Sequence, residues 1–272
     1  MSLDFDSEHR PLIMGILNMT PDSFSDGGRF NRPQAAVERV RQMIHEGADI
    51  IDIGGESTRP GAPAVSEEEE LARVIPVIEA IRRDSAIPIS VDTSKPAVMH
   101  AAVAAGASLI NDVRALQEPG ALAAAAELDI PICLMHMQGQ PRTMQANPHY
   151  DDVVEEVLAF LLQRIEACRE AGIAPDRLIL DPGFGFGKTV DHNLTLFRQL
   201  SRFVETGYPV LVGVSRKSMI GKLLGERPVD ERLAGSLALA TLAGWLGAAI
   251  VRVHDVRESV DALALCRAVL HA

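Results

Sequence analysis

Residues 178–188 read LILDPGFGFGK. A short apolar run ends on an aspartate, and a loop of proline and alternating glycine and phenylalanine follows before a lysine. Leu178–Leu180 predicts a buried strand and Asp181–Lys188 a loop. The same arrangement recurs along the chain. Predicted strands span Leu12–Leu17, Ile50–Ile53, Ile87–Val91, Leu109–Ile110, Ile130–Met135, Leu178–Leu180, Val210–Val212 and Ile250–Val253. Nearly every one is followed at once by a polar or glycine-rich cluster: Asn18–Gly28, Gly54–Gly61, Asp92–Ser94, Asn111–Arg114, His136–Gln140, Asp181–Lys188, Ser215–Ser218 and His254–Asp255. Helical spacing fills the intervals, as in Ser66–Arg83, Asp151–Ala171 and Glu231–Leu246, and Ser66 and Glu69 have the spacing of a capping box. Alternating strands and helices indicate parallel βαβ units. Eight of them can close into a barrel or wind as an open sheet. Clusters at so many strand ends favour the barrel, whose strand C-termini share one rim. The expected fold is therefore α/β, a single (β/α)8 TIM barrel over residues 1–272, with residues 1–10 as a flexible tail and the active site at the strand C-termini.

Composition narrows the classes. Of 272 residues, 47% are hydrophobic but only 4% aromatic, so aliphatic side chains must fill the core. That suits a buried parallel sheet. A net charge of -11 disfavours nucleic acid and anionic membrane as partners. Cys133, Cys168 and Cys266 are far apart and form no CxxC pair, which fits a reducing, cytoplasmic setting better than a disulfide framework or a zinc site. MSLDFDSEHR lacks the basic start and apolar stretch of a signal peptide, and Leu237–Ile250 is too short to span a membrane.

Individual residues carry chemistry in some clusters more than in others. Asn18 follows the first strand and can offer a carbonyl or amide to a metal or phosphate. Gly54 and Gly55 permit close backbone approach, and Thr58 and Arg59 suit a phosphate oxygen. Asp92, Asn111 and Asp181 each end a strand; one alone would be a helix cap, but three acceptors on one rim match a ligand with several N–H donors. DPGFGFGKT is no P-loop, because Pro182 occupies the first glycine position, and its glycines do not fit GxGxxG either. At least one of Phe184 and Phe186 is expected to stay free to pack on a planar ligand. Arg216 and Lys217 are cations at a helix start, where an anionic or electron-rich ligand would explain them. Arg252 and His254 face the same side of the last strand, so Arg252 is either a diphosphate clamp or half of an internal ion pair. His136 is expected to be a hydrogen-bonded structural histidine, since no metal-binding spacing surrounds it.

GILNMTPDSFSDGG, GGESTRPGA, SVDTSKP, IND, LMHMQG, DPGFGFGK, GVSRKSMIG and RVHD, in this order from about Gly15 to Asp255, together resemble the dihydropteroate synthase family. The resemblance implies a transferase of folate biosynthesis. It would condense 6-hydroxymethyl-7,8-dihydropterin diphosphate with 4-aminobenzoate, through a pterin cation formed ahead of nucleophilic attack. It implies a pterin site of Asp92, Asn111, Met135, Asp181 and Lys217, and a diphosphate site of Asn18, Thr58, Arg252 and His254. Mg2+ would be held with help from Asn18. The aminobenzoate would sit among Thr58, Arg59, Pro60, Phe186, Ser215, Arg216 and Lys217, its carboxylate near Ser215. The Gly15–Gly28 and Gly54–Ala62 loops would close over the site. A homodimer is implied, with the apolar helix near Leu237–Leu246 as a candidate surface. Competing readings are a corrinoid-coupled pterin methyltransferase, a non-catalytic pterin binder, and an aldolase using Lys217 as a Schiff base.

Overall fold

The structure, a computed structural model, describes residues 10–19, 32–57, 62, 64–140 and 143–272. Residues 1–9 of the expected N-terminal tail, most of the Gly15–Gly28 loop, and Thr58, Arg59 and Pro60 lie outside them; Arg10, placed in that tail, instead donates from Nη1 to Asp49 Oδ2 at 2.6 Å.

The eight strands are β1 Leu12–Asn18, β2 Ile50–Gly54, β3 Ile89–Asp92, β4 Leu109–Asp112, β5 Ile132–Met135, β6 Leu178–Asp181, β7 Leu211–Val212 and β8 Ile250–Val253. The helices are α1 Arg32–Glu46, α2 Glu67–Asp84, α3 Pro96–Ala104, α4 Ala121–Glu127, α5 Val153–Glu170, α6 Val190–Arg198, α7 Ser201–Val204, α8 Ser218–Leu223, α9 Leu233–Trp245 and α10 Val256–Leu270. All strand pairs are parallel, in the order β6-β5-β4-β3-β2-β1-β8-β7. A parallel bridge between Leu180 and Val210, with Leu180 N donating to Pro209 O at 2.9 Å, joins the two ends. The sheet is thus the expected closed (β/α)8 barrel.

Two strands start later than expected because of proline. β3 begins at Ile89 and β5 at Ile132, each just after a proline (Pro88, Pro131) that has no N–H for the ladder. At the other end, β1, β3, β4 and β6 run on into Asn18, Asp92, Asp112 and Asp181. These polar residues therefore close the strands rather than open the loops, and the ladder fixes their direction. Half of the expected capping box forms: Ser66 Oγ accepts from Glu69 N at 3.2 Å, but the Glu69 carboxylate pairs with Arg73.

Alternation along each strand sorts its side chains. The outer set packs between sheet and helices in one large cluster that includes Ile51, Ile53, Val91, Ile110, Leu134, Leu180, Val251 and Val253. The inner set forms a separate plug of Met14, Ile50, Leu109, Cys133, Ile179, Leu211 and Ile250, all at most 1% exposed. This floor seals the barrel, so what lies above it opens only toward the C-terminal rim.

Candidate active site

Two residues beyond the floor, along the same strands, the inward positions turn polar. Ile50 gives way to Asp52, Leu109 to Asn111, Ile179 to Asp181 and Ile250 to Arg252. On β3 the inward residues are Ser90, level with Asp52, and Asp92, level with Asn111. Arg252 sits in the middle. Its Nε donates to Asp52 Oδ2 at 2.6 Å and its Nη2 to Asp92 Oδ2 at 3.1 Å. Asn111 Nδ2 donates to the same Asp52 oxygen at 3.3 Å. Asp52 Oδ1, Ser90 Oγ and Asn111 Oδ1 are buried without a hydrogen-bond partner. Unpaired acceptors in such a layer are costly unless a ligand or a water reaches them.

The charges depend on one another. Burial, reinforced by Asp52, pushes the Asp92 carboxyl up to about 8, against the pull of Arg252. Burial also raises Asp181, which Lys217 and the Gly183 N–H oppose. Burial lowers Lys217 to about 8, against the attraction of Asp181. It pulls Arg252 down as well, but Asp52 and Asp92 outweigh it and the net direction is upward. Among the described residues, Asp92, Asp181, Lys217 and Arg252 thus act on each other at one mouth, as the sequence leads one to expect.

The loop between β6 and α6 supplies the next wall. Asp181 Oδ1 accepts from Gly183 N at 2.7 Å, which turns the chain sharply. Gly183 has φ +70, and a Cβ there would lie 1.8 Å from His136 O, so no other residue fits this approach to β5. The loop arches over, and Lys217 Nζ donates to Phe184 O. The same ammonium lies 4.5 Å from the Phe186 ring centroid. Phe184 is fully buried against Phe197, with ring centroids 5.3 Å apart. Phe186 is therefore the phenylalanine left at the site. Met135, at the end of β5, is buried with its Cγ 3.4 Å from where a Gly183 Cβ would be.

The ends of β7 and β8 meet beside it. A Cβ on Gly213 would lie 3.8 Å from Arg252 Cβ and 4.0 Å from Lys217 Nζ, so the missing side chain leaves those two groups adjacent. Ser215 Oγ lies 3.0 Å from His254 Nδ1 and accepts from His254 N at 3.2 Å. The expected aminobenzoate and diphosphate residues are thus bonded to each other. Arg216 is held at φ 57, a left-handed conformation that costs a non-glycine residue energy. Ser236 Oγ accepts from its N–H at 2.9 Å, Arg232 donates to its carbonyl at 3.0 Å, and its guanidinium forks onto the Asp255 carboxylate. Arg216 is consequently fixed by Asp255, and Lys217, the next residue, is aimed into the barrel.

Asn18 closes β1 at the same rim, half-buried. Among the described residues no three His, Cys, Asp or Glu side chains group to hold a metal. A cation here would depend on one neutral amide oxygen and on oxygens brought by a substrate, a donor set that fits Mg2+ with a bound diphosphate. His136 is, as expected, structural: its Nδ1 lies 2.9 Å from Lys188 Nζ. Two residues of the site were not singled out from sequence. Asp52 was readable in IIDIGG as a carboxylate with the inward parity of Ile50 inside an apolar strand. Lys188, 3% exposed, carries no such signal, because a lysine before a helix usually reaches solvent.

Residues 14–254 match the pterin binding enzyme family. The dihydropteroate synthase of Escherichia coli strain K12 is 56% identical over 271 residues, covering 100% of this chain and 95% of the relative. Among solved structures, Yersinia pestis dihydropteroate synthase with a sulfonamide drug complex superimposes with a TM-score of 0.94 at 53% identity, covering 100% of this chain and 98% of the other. The Xanthomonas albilineans dihydropteroate synthase in complex with 7,8-dihydropteroate gives 0.89 at 51% identity, over 99% and 96%. With an inward layer of three aspartates, an asparagine, a lysine and an arginine above a dry floor, the chain belongs to the pterin-binding enzyme family and, within it, to the dihydropteroate synthases.

Proposed function

We propose the following division of labour for a chain that condenses 6-hydroxymethyl-7,8-dihydropterin diphosphate with 4-aminobenzoate, giving 7,8-dihydropteroate and diphosphate. The observation that carries it is the convergence of Asp52, Asp92, Asn111, Asp181, Lys217 and Arg252 on one inward layer. A 2-amino-4-oxo pterin offers several N–H donors in a plane. Asp181 accepts from its guanidine-like edge, Asn111 serves as donor and acceptor, and Lys217 donates to the ring's oxygen or nitrogen acceptors. Met135 packs on the ring. Residues of relatives crystallised with drug or product lie on the same fold at above 50% identity, which supports the same use of the pocket here.

Charge decides the order of bond changes. The carbon–oxygen bond to diphosphate breaks first, and Asp92 and Asp181 stabilise the resulting pterin cation through its ring N–H groups. Arg252, already braced by Asp52, and His254, braced by Ser215, face the negative charge that grows on the leaving group. Asn18 would help to hold Mg2+ together with the diphosphate, and the ion would supply further neutralisation of that charge. The arylamine of 4-aminobenzoate then attacks without a strong base. The aminobenzoate lies against Phe186 and Lys217, with Thr58, Arg59, Pro60, Ser215 and Arg216 completing its site.

The direct test mixes the protein with the pterin diphosphate, 4-aminobenzoate and Mg2+ and measures dihydropteroate. Product formation that stops with EDTA and returns with Mg2+ supports the full scheme; product with EDTA present removes the metal from it. Crystals soaked with substrate should hold diphosphate beside Asn18 and Arg252, and diphosphate found elsewhere overturns those two roles.

The chain forms a homodimer in this proposal, through outer helices that include α9. Leu242 and Trp245 of α9 are 49% and 53% exposed, and Leu223 at the end of α8 and Leu224 just after it are exposed as well. Leu242→Lys should shift the sedimenting species to a monomer; an unchanged mass sinks this surface. Cys133, Cys168 and Cys266 are buried free thiols, and no helix among the described residues is long and apolar enough to cross a membrane. The free thiols support a cytoplasmic enzyme.

A further inference from the structure

Lys188 is a buried lysine that the scheme above leaves without a task. It is 3% exposed, and among the described residues no carboxylate pairs with it. Burying an ammonium is expensive unless all its protons find acceptors. Here they do. Nζ donates to Gly183 O at 2.9 Å and to Phe186 O at 3.1 Å, and lies 2.9 Å from His136 Nδ1. Burial lowers Lys188 well below the ordinary lysine value, against the pull of Asp181, and burial, aided by Lys188, drives His136 down to about 2, so the ring is neutral and shares one hydrogen bond with Nζ. A single atom thus ties residues 183 and 186 of its own loop to the end of β5.

The loop between those two anchors is the one that meets Lys217. Phe184 O, which accepts from Lys217 Nζ, and the Phe186 ring beneath that ammonium both belong to the span 183–186. Two lysines therefore hold neighbouring carbonyls of one arch: Lys188 takes 183 and 186, Lys217 takes 184. Other contacts complete the arch, with Gly185 N donating to Asn193 Oδ1 at 2.7 Å and Tyr150 OH to Gly187 O at 2.8 Å. Phe186 N donates to Gly183 O at 3.1 Å across the same span, and Lys188 adds a side-chain tie from both ends of the segment that faces Lys217 to β5.

We propose that Lys188 is a positioning residue for the pterin site: by fixing the Gly183–Phe186 arch it sets where the Lys217 ammonium stands, and so how tightly the pterin is held. The proposal rests on the assignment of Lys217 to the pterin. A residue that only stabilises the fold would weaken ligand binding equally whether or not Lys217 is present. One that acts through Lys217 loses its effect once Lys217 is gone.

A double-mutant cycle separates the two. Affinity for 6-hydroxymethylpterin is measured by its own fluorescence in the wild-type protein, Lys188→Met, Lys217→Met and the double variant. Lys188→Met should weaken binding about tenfold in the wild-type background and by less than about twofold in the Lys217→Met background. Melting temperature should fall similarly in both backgrounds, reporting the loss of packing. Equal losses of affinity in the two backgrounds, or none in the first, overturn the proposal. A Lys217→Met protein with unchanged pterin affinity overturns the Lys217 assignment itself, which is read from that protein alone. If Lys188→Met does not fold, His136→Phe removes one partner of Nζ and should show a smaller loss with the same dependence on Lys217. Failure of both variants to fold assigns Lys188 to the core and ends the proposal.

Discussion

Two residues separate the floor of the barrel from its chemistry. Ile50, Leu109, Ile179 and Ile250 make a dry plug; Asp52, Asn111, Asp181 and Arg252, next inward on the same strands, make a layer of facing charges and unpartnered acceptors. The backbone ladder is the same for both. What differs is what each layer gains from folding. The floor gains hydrophobic burial and close packing. The polar layer buries three carboxylates against two cations and leaves Asp52 Oδ1, Ser90 Oγ and Asn111 Oδ1 unsatisfied. Stability is concentrated in one layer and given up in the other, which is how a stiff site for a polar ligand can stand on a stable fold.

Arg252→Ala should break this contrast most visibly, since it touches both stability and rate. Removing the guanidinium leaves Asp52 and Asp92 facing each other, a loss of about 3–5 kcal/mol for a broken buried pair. It should also lower kcat/KM by at least ~2 kcal/mol of transition-state stabilisation. Adding Asp52→Asn should recover part of the melting temperature and none of kcat/KM. A single variant with wild-type kinetics takes Arg252 out of the mechanism.

Ile250→Ala, one inward position below on β8, should act on stability alone. A cavity in the floor costs about 2–5 kcal/mol, read by denaturant titration. The folded fraction should keep its kcat/KM. If activity falls further than the folded fraction does, the floor is not separate from the site and the division between layers fails.

How far sequence reaches follows the same division. Eight strands were legible because each buries both faces and reads as an uninterrupted apolar run. The barrel was legible because polar residues recur at the strand ends, and the shared facing of Arg252 and His254 follows from period-two alternation. Asp92, Asn111, Asp181 and Lys217 could be named for the same reason. The pairing of Arg252 with Asp52 could not, since it joins residues 200 apart in the chain and depends on barrel closure. The strain at Arg216 and the arch over Lys188 were also hidden. Both arise from tertiary contacts, with Ser236, Arg232 and Asp255 around one and β5 against the other, that no local pattern encodes.

Asp92 offers a milder perturbation within the polar layer. Its folded pKa is raised to about 8, so between about 4 and 8 the folded protein keeps a proton that the unfolded chain has released. Stability from this group is full at low pH and is lost as pH rises toward 8. Asp92→Asn removes that dependence. Its melting temperature relative to wild type should climb between pH 5 and pH 8, while dihydropteroate formation falls at every pH. A difference in melting temperature that does not change with pH would mean that Arg252 keeps the Asp92 carboxylate ionised throughout.

The smallest effect lies just outside the layer, at His136, where the strand's alternation turns the side chain away from the barrel interior and toward Lys188. Here the sign reverses. The folded pKa is lowered to about 2, below the ordinary histidine value, by burial and, second, by Lys188. Above the ordinary value neither state binds the proton. Below it the unfolded chain does and the folded one does not, so stability from His136 is complete above about 6.5 and drains as pH falls. One proton corresponds to about 1.4 kcal/mol per pH unit, so between pH 6 and pH 5 the loss approaches that figure. His136→Gln keeps an acceptor for Lys188 and has nothing to titrate. The slope of unfolding free energy against pH in that interval should be smaller in the variant by close to one proton, with kcat/KM at pH 7.5 little changed. Equal slopes would place a proton on His136 in the folded state. That ring could then no longer accept from Lys188, and the boundary between catalytic layer and supporting shell would have to be drawn elsewhere.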